Sequence, residues 1–526
     1  MSPLDLAGFS IMLLLVTAAL SPFLSRWERF LIRFAFPLAA LAAFAVALAG
    51  FLTIEQGLNS AATIPLGLPG LPFNLRLDPL AGFFLIVIGL LSGYVSIYSI
   101  GYLLAYPGHR PITPLVLFYL LFLAGMLMVV LADDAYFFLL SWELMAAASY
   151  FLVMYEDEKA ENRRAAYIYL LVAHVGAIAI LLSFGLMAGL GSGFDRFDGY
   201  TFDAMRTARL SPGWSAAAFF LAFFGFSAKA GVIPLHVWLP EAHPVAPSNV
   251  SALMSGVMLK TSIYGMIRVA FDLIRDFPWW WGGVVLVFGL LSAVLGVLYA
   301  LMQHDLKRLL AYHSVENIGI ILIGLGLAMI FTSFHFPALA ALALVAALYH
   351  TLNHALFKGL LFMGAGAVIH ATHERNMEEM GGLIHKLPWT AALFLVGCVS
   401  ISGLPPFNGF VSEWLTFQAF LLSPALPHPL LKLLVPLGAA LLALTGALAA
   451  ACFVKAFGVT FLGTWRGHRK ATQIHEVGIS MRLGMTMAAV SCLGLGVLPT
   501  YVIGWMDIIP ERLFGGQIAA SAGKFG

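Results

Sequence analysis

The chain has 526 residues, 61% of them hydrophobic and only 10% charged, with a mean hydropathy of +0.93 and a net charge of +2. A soluble domain carries about 25% charged residues, so a water-soluble globule is excluded, and so small a net charge implies no nucleic-acid partner. Apolar runs repeatedly reach ~20 residues, the length that crosses the hydrocarbon core as a helix, and the alternation of a membrane β-barrel is missing.

The expected fold is an all-α polytopic membrane protein with about fourteen transmembrane helices. Their approximate bounds are 6–24, 30–54, 79–105, 112–131, 135–154, 164–190, 213–233, 247–270, 279–302, 309–332, 336–370, 388–420, 430–463 and 479–505. The first run begins at Leu6 without a basic flank and reads as a retained helix. The spans 336–370, 388–420 and 430–463 are too long for single straight helices, and the first two carry polar or Pro/Gly breaks at mid-depth. With the N-terminus outside, the inward loops hold the greater share of Lys and Arg, including Arg26, Arg29, Arg33, Lys159, Arg163, Arg164, Lys307, Arg308, Arg466, Arg469 and Lys470. An even number of spans then puts the C-terminus on the same outer, periplasmic side of a cell (inner) membrane. The outer segments 55–78 and 191–213 are long enough for a hairpin or a short surface helix, and the run Glu156 to Arg164 reads as a solvated inner loop. Cys398, Cys452 and Cys492 have no metal spacing and read as packing residues. No phosphate loop, Rossmann fingerprint or CxxC pair appears, so neither a nucleotide nor an iron–sulfur cluster is indicated.

Charges at membrane depth carry the functional signal, because lipid penalises a lysine at a helix centre by at least ~2.5–3.5 kcal/mol. Glu143 is the only charged residue of its span and is expected to be buried. Lys229 is followed by Gly231 and Pro234, which break the helix and expose a polar end at depth. His236, Glu241 and His243 follow towards the inner surface, where an ordinary interfacial turn explains His243 about as well as any chemistry. Lys260, with Ser251, Ser255, Thr261 and Ser262 nearby, extends a relay from Lys229. His313 precedes Glu316 by three residues on one helix face. His350, His354 and Lys358 form an i, i+4, i+8 row. A zinc site would need the glutamate of HExxH and would be repelled by the lysine, so a row of proton donors and acceptors fits better. Bis-histidine haem ligation from His174, His313, His350 and His354 leaves the lysines and glutamates unexplained. Glu413 follows a Gly403, Pro405, Pro406, Gly409 break, and Lys455 is the last intramembrane lysine.

The parts recur in order. Spans four to eight give a buried acid, a Pro-broken helix with a charge and a lysine helix; spans nine to thirteen give the same, with the histidine row between. Five spans per unit invert the second unit relative to the first, as in secondary transporters. The expected organisation is 1–111 for helices one to three, 112–272 and 273–465 for two inverted five-helix repeats, and 466–526 for the last helix and tail.

Five segments carry a family resemblance: SWELM, KAGVIPLHVWLPEAHPVAPSNVSALMSGVMLK, DLKRLLAYHSVENIG, HTLNHALFKGLLF and SGLPPFNGFVSEW. Over roughly residues 75 to 465 the chain resembles the antiporter-like subunits of the complex I superfamily, shared with Mrp antiporters and membrane-bound hydrogenases. LLAYHSVENIG and LPPFNGFVSEWLTFQ look most like the hydrogenase-4 component B type of group 4 nickel–iron hydrogenases. The resemblance implies that Glu143 and Lys229 form an input ion pair, that Lys260, His350, His354 and Lys358 carry a central relay, and that Glu413 ends the second half-channel. It implies a non-redox membrane subunit of an oxidoreductase complex, with no cofactor or metal in this chain. The partners are other membrane subunits, a peripheral redox arm reached through them, the lipid bilayer, and protons in preference to sodium. A cation/proton antiporter of the Mrp type and a haem-binding electron carrier are the alternatives.

Overall fold

The computed structural model describes residues 1–105, 110–189, 199–423, 426–468 and 471–518. Arg469, Lys470 and part of the expected outer segment 191–213 lie outside the described residues. Helices dominate. In chain order they open with α1 (Pro3–Leu20), α2 (Glu28–Glu55), a hairpin of β1 (Ser60–Leu68) and β2 (Leu71–Leu77), α3 (Pro79–Leu104), α4 (Thr113–Leu131), α5 (Ala135–Val153), α6 (Ala160–Gly189) and a short α7 (Phe202–Thr207). There follow α8 (Pro212–Ala230), α9 (Leu239–Val245), α10 (Ser248–Leu253), α11 (Leu259–Ile267), α12 (Trp279–Leu301), α13 (Leu306–Ser333) and α14 (Pro337–Thr372). The chain closes with α15 (Pro388–Ile401), α16 (Asn408–Leu421), α17 (Pro429–Phe461), α18 (Ile479–Val497), α19 (Pro499–Met506) and α20 (Ile508–Phe514).

Among the described residues, thirteen helical stretches are long and apolar enough to cross a membrane, and Pro388–Ile401 is a shorter apolar helix. Taking α15 and α16 as one interrupted span gives the expected fourteen. The outer segment 55–78 is the antiparallel hairpin, with a register shift between Ile64 and Gly67. Aspartates start the helices beside it: Asp78 accepts from the Ala81 N–H at 2.9 Å to begin α3, and Asp134 accepts from the Phe137 N–H at 2.6 Å to begin α5.

Two spans are broken, and by the same device. After α8, Gly231 takes a left-handed conformation (φ 77°) and Pro234 follows three residues on. After α15, Gly403 is left-handed (φ 61°) and Pro406 again follows three residues on. The glycine ends the helix without a Cβ penalty and the proline denies the next turn an N–H donor. These are the seventh and twelfth spans, five apart. A third irregularity was not expected: the span Ser248–Ile274 contains π-helical turns at Met254–Met258 and Arg268–Ile274, a feature that frequents functional sites.

Two expectations fail here. The spans 336–370 and 430–463 are continuous helices, α14 and α17. In α14 the polar residues expected to interrupt it are side chains only, which leave the backbone ladder intact; Gly and Pro do the breaking elsewhere. In α17, Pro436 lies seven residues after the start, about two turns, and removes one N–H donor without ending the helix. The longest helix, α14, is also the central one. It packs on α13, α15, α16, α18, α10 and α3 and is buried along nearly its whole length.

Candidate functional site

The centre of the bundle holds a row of buried polar side chains with few charges of opposite sign among them. Lys229, at the last turn of α8, donates from Nζ to the Tyr169 hydroxyl of α6 at 2.5 Å, and Tyr169 in turn pairs with Ser149 of α5 at 2.5 Å. The lysine is 2% exposed. The break at Gly231 explains its placement, since a C-terminal cation there faces the free carbonyl end of α8.

Lys260 lies in the turn after the first π segment and donates from Nζ to the Ser255 carbonyl at 2.5 Å. The Ser255 hydroxyl pairs with Ser314 of α13 at 2.7 Å, Ser314 donates to the Leu310 carbonyl at 3.2 Å, and Lys358 of α14 donates from Nζ to that same carbonyl. Lys260 and Lys358 are thereby joined through one hydroxyl pair and two backbone oxygens, those of Ser255 and Leu310. Both lysines are completely buried.

From α13 the chain of contacts continues into the second half. His313 Nδ1 meets Glu316, whose carboxylate also accepts from Asn317 Nδ2 at 3.4 Å. Asn317 Oδ1 lies 3.0 Å from His350 Nε2, and His350 Nδ1 lies 2.9 Å from the Ser412 hydroxyl of α16. Asn353 donates to Ser412 at 3.1 Å and to the Asn408 carbonyl at 2.7 Å, the first residue after the second break. His354 stacks beside His350 with ring centroids 6.3 Å apart, and both its nitrogens are buried without a hydrogen-bond partner among the described residues. Glu413 is half-buried, and its carboxylate lies over the break: a Cβ on Gly403 would come within 2.6 Å of Oε2. Gly403→Ala is therefore expected to strain a left-handed residue by about 1–2 kcal/mol and to push the Glu413 carboxylate aside. Proton transport should fall while the assembled protein still purifies; transport at the wild-type rate would show that the seat of Glu413 is immaterial.

Three expected site residues stand elsewhere. Glu143 is not buried: its side chain is 42% exposed on the outer surface of α5, and its ion-pair partner is His174 of α6 at 3.7 Å. Among the described residues no ion pair joins it to Lys229; Tyr169 occupies the lysine instead, although the carboxylate charge still reaches that lysine. The reason is helix phase, since Trp142 is the α5 side chain turned into the core and the next residue points out. His236 is half-buried in an aromatic group with Tyr299 and Tyr312, at centroid distances of 6.1 and 6.3 Å, and hydrogen-bonds to none of the lysines. Lys455 lies near the end of α17, where Nζ donates to the Leu301 and Gln303 carbonyls at 2.9 Å each. It closes the C-terminus of α12. Lys455→Met should lower thermal stability by about 1–2 kcal/mol and leave transport intact; a stable variant with lost transport would return Lys455 to the relay.

Sequence reasoning placed Ser255 beside Lys260 but passed over Tyr169, Ser314, Asn317 and Asn353, which with it bridge the charged groups. It also passed over a cluster at the hairpin end. There Arg268 pairs with Asp78 at 2.5 Å and Asp272 at 3.1 Å, and Arg206 pairs with Asp272 at 2.9 Å and Asp133 at 3.1 Å. The i, i+4 spacing of Arg268 and Asp272 inside an apolar run was the available signal. At the opposite, basic end a cavity of about 430 Å³ opens between the loops, lined among others by Arg110, Glu156, Lys159, Lys307 and Arg375.

Residues 132–427 match the family model described as NADH:quinone oxidoreductase/Mrp antiporter, TM, and residues 64–110 match that described as NADH-Ubiquinone oxidoreductase (complex I), chain 5 N-terminus. Hydrogenase-4 component B of Escherichia coli strain K12 is 45% identical over 422 residues, which cover 80% of this chain and 62% of that protein. The chain thus spans less than two thirds of that relative. Formate hydrogenlyase subunit 3 of the same strain is 34% identical over 457 residues, covering 87% of this chain and 71% of that protein. In fold, a chain in the structure of the Mrp complex from Dietzia sp. DQ12-45-1b superposes with a TM-score of 0.81 at 22% identity, covering 97% of each chain.

Proposed function

Because the chain belongs to the NADH:quinone oxidoreductase/Mrp antiporter family of membrane proteins, we propose that it is the proton-translocating, antiporter-like subunit of a redox-driven membrane complex. The observation that carries this reading is the buried polar row. It contains three lysines, three histidines and Glu316 in the middle of an apolar bundle; all but His354 are linked, in three separate stretches, through Tyr, Ser and Asn residues. Packing alone does not account for three buried lysines without a salt bridge among the described residues.

The mechanism uses these groups as they stand. Lys229 is held by a neutral hydroxyl, so its charge depends on the distant carboxylate of Glu143 and on whatever faces that carboxylate. A partner that draws Glu143 away weakens the attraction on Lys229 and releases its proton towards Lys260. From Lys260 the Ser255 and Ser314 hydroxyls and the Leu310 carbonyl lead to Lys358, and from the Glu316 group Asn317 and His350 lead to Ser412 beside Glu413. Water fills the gaps between groups that do not touch. The two broken helices, five spans apart, serve as matching gates of inverted repeats at 112–272 and 273–465.

The half-exposed pair of Glu143 and His174 is surrounded on α5 and α6 by exposed Leu140, Leu171, Ile178 and Leu182. An ion pair in an apolar belt is poorly suited to lipid, so this face is where a neighbouring membrane subunit sits and through which the redox arm acts. The basic end faces the inside, and both termini face out. Outward movement of each proton works against ~2.3 kcal/mol per 100 mV.

The test is to reconstitute the assembled complex into liposomes and follow internal pH while electrons flow. Acidification on the hairpin side that stops with the electron supply supports the proposal. Sodium-dependent pH change in vesicles holding this chain alone would instead favour a stand-alone exchanger.

A further inference from the structure

At the hairpin end of the bundle four arginines and two aspartates face one cavity of about 220 Å³, which no residue of the polar row lines. Arg76 comes from β2, Arg268 and Arg275 from the end of the span Ser248–Ile274 and the turn after it, and Arg512 from α20. Asp272 is approached by Arg206 at 2.9 Å, Arg268 at 3.1 Å, Arg275 at 3.4 Å and Arg76 at 4.0 Å. Asp78 is approached by Arg268 at 2.5 Å and Arg76 at 3.5 Å. A guanidinium carries five N–H donors and a carboxylate about four acceptor sites, so the two acids do not use up the arginines. Arg76 donates from Nε to Asn59 Oδ1 at 3.2 Å, while its terminal nitrogens stand 3.5 Å or more from the carboxylates, beyond a good hydrogen bond. Arg512 donates to the Gly57 carbonyl at 3.3 Å and has no ion-pair partner among the described residues.

Arg275 is also strained. Its backbone takes φ 63° and ψ −41°, and the Asp276 N–H donates back to the Ile274 carbonyl at 2.7 Å, the tight γ-turn that side chains rarely adopt. The side chain is 57% exposed, with Nε donating to the Asp272 carbonyl at 2.9 Å. An exposed arginine gives the fold little packing in return for that strain, whereas holding a guanidinium at the mouth of a binding site does give a return. We propose that this cavity binds a phosphate group. Guanidinium forks match phosphate oxygens two at a time. The cavity is smaller than the ~300–1,000 Å³ that takes a whole drug-sized ligand, so it suits one anionic group. Leu80, Ile509 and Leu513 supply apolar wall beside the arginines, at the ends of helices that leave the bilayer. The phosphate of a lipid headgroup and free inorganic phosphate present the same oxygens there. Either one ties α20 to the hairpin and to the start of α3.

The experiment takes the full chain, co-purified with its membrane partners and stripped of lipid by detergent exchange. It is titrated with radiolabelled inorganic phosphate and, separately, with phosphatidylglycerol in mixed micelles read by native mass spectrometry. Wild type should bind at least one of the two. Arg512→Gln and Arg275→Gly, both at exposed positions, should each weaken that binding by about 10–100-fold, the loss of a hydrogen bond to a charged group. Arg512→Lys keeps the charge without the fork and should bind with intermediate affinity. Binding of inorganic phosphate assigns the site to a soluble anion, and binding of phosphatidylglycerol alone assigns it to a lipid headgroup. A wild type that takes neither ligand, or an affinity unchanged in either Arg512→Gln or Arg275→Gly, overturns the proposal.

Discussion

Lys229→Ala is expected to stop proton transport while electron transfer in the partner subunits continues. Removing the ammonium leaves the Tyr169 hydroxyl with Ser149 and the Met258 sulfur as side-chain partners among the described residues and deletes the cation at the end of α8. A lost transfer group is worth about 10²–10⁴ in rate, so transport should drop below detection. Lys229→Arg is a sharper variant. It keeps a charge at the break but cannot release a proton, and should be equally inactive. Transport at the wild-type rate in either variant would show that the row is structural. Tyr169→Phe should have a smaller effect, because it removes the hydroxyl that holds the lysine and leaves the lysine itself.

The second large effect is on stability. Arg268 is 3% exposed and holds Asp78 and Asp272 together, tying the start of α3 to the end of the span Ser248–Ile274. Arg206 and Arg76 extend the cluster to Asp133 and the β2 strand. Arg268→Ala leaves Asp78 with Arg76 at 3.5 Å and Asp272 with Arg206 at 2.9 Å, so the loss approaches the about 3–5 kcal/mol of a broken buried pair only as far as those partners fail to compensate. Thermal unfolding in detergent should show a large downward shift, with Arg268→Lys in between; an unchanged melting profile would contradict the role given to this cluster. Acid should act the same way. Burial works against the charge of Asp78, but the adjacent Arg268 guanidinium outweighs it and holds the carboxyl below the usual carboxylate range. Its share of stability is therefore present above a pH of about 4 and is lost as pH falls through the depressed value.

What could be read from sequence was whatever lipid makes expensive. Lys229, Lys260, Lys358 and the histidines stood out because charge and imidazole are rare at depth, and the breaks stood out because Gly and Pro act locally on the backbone. The bridging residues were not legible. Ser314, Asn317 and Tyr169 are common in membrane helices, and their roles follow from partners on other helices, such as Ser255, 59 residues away from Ser314. Glu143 was misread for a related reason. One acid in an apolar run looks buried, but orientation depends on helix phase, and the α5 core face is set by Trp142, Met145 and Ser149. Lys455 was misread because depth along a 33-residue helix cannot be told from hydropathy alone; its carbonyl partners at the end of α12 define it. The Arg and Asp cluster escaped because Asp78 and Arg268 are 190 residues apart and each was placed near a span end.

The central claim is that this chain conducts protons through the lysines and histidines buried between its two broken helices. The direct measurement is the number of protons moved per electron transferred by the assembled complex, wild type against Lys358→Ala. Lys358 is completely buried and meets Lys260 through the Leu310 carbonyl and the serine pair, far from any redox chemistry in the partners. The account predicts that the ratio falls by this chain's share while electrons flow at the same rate. An unchanged ratio would contradict it.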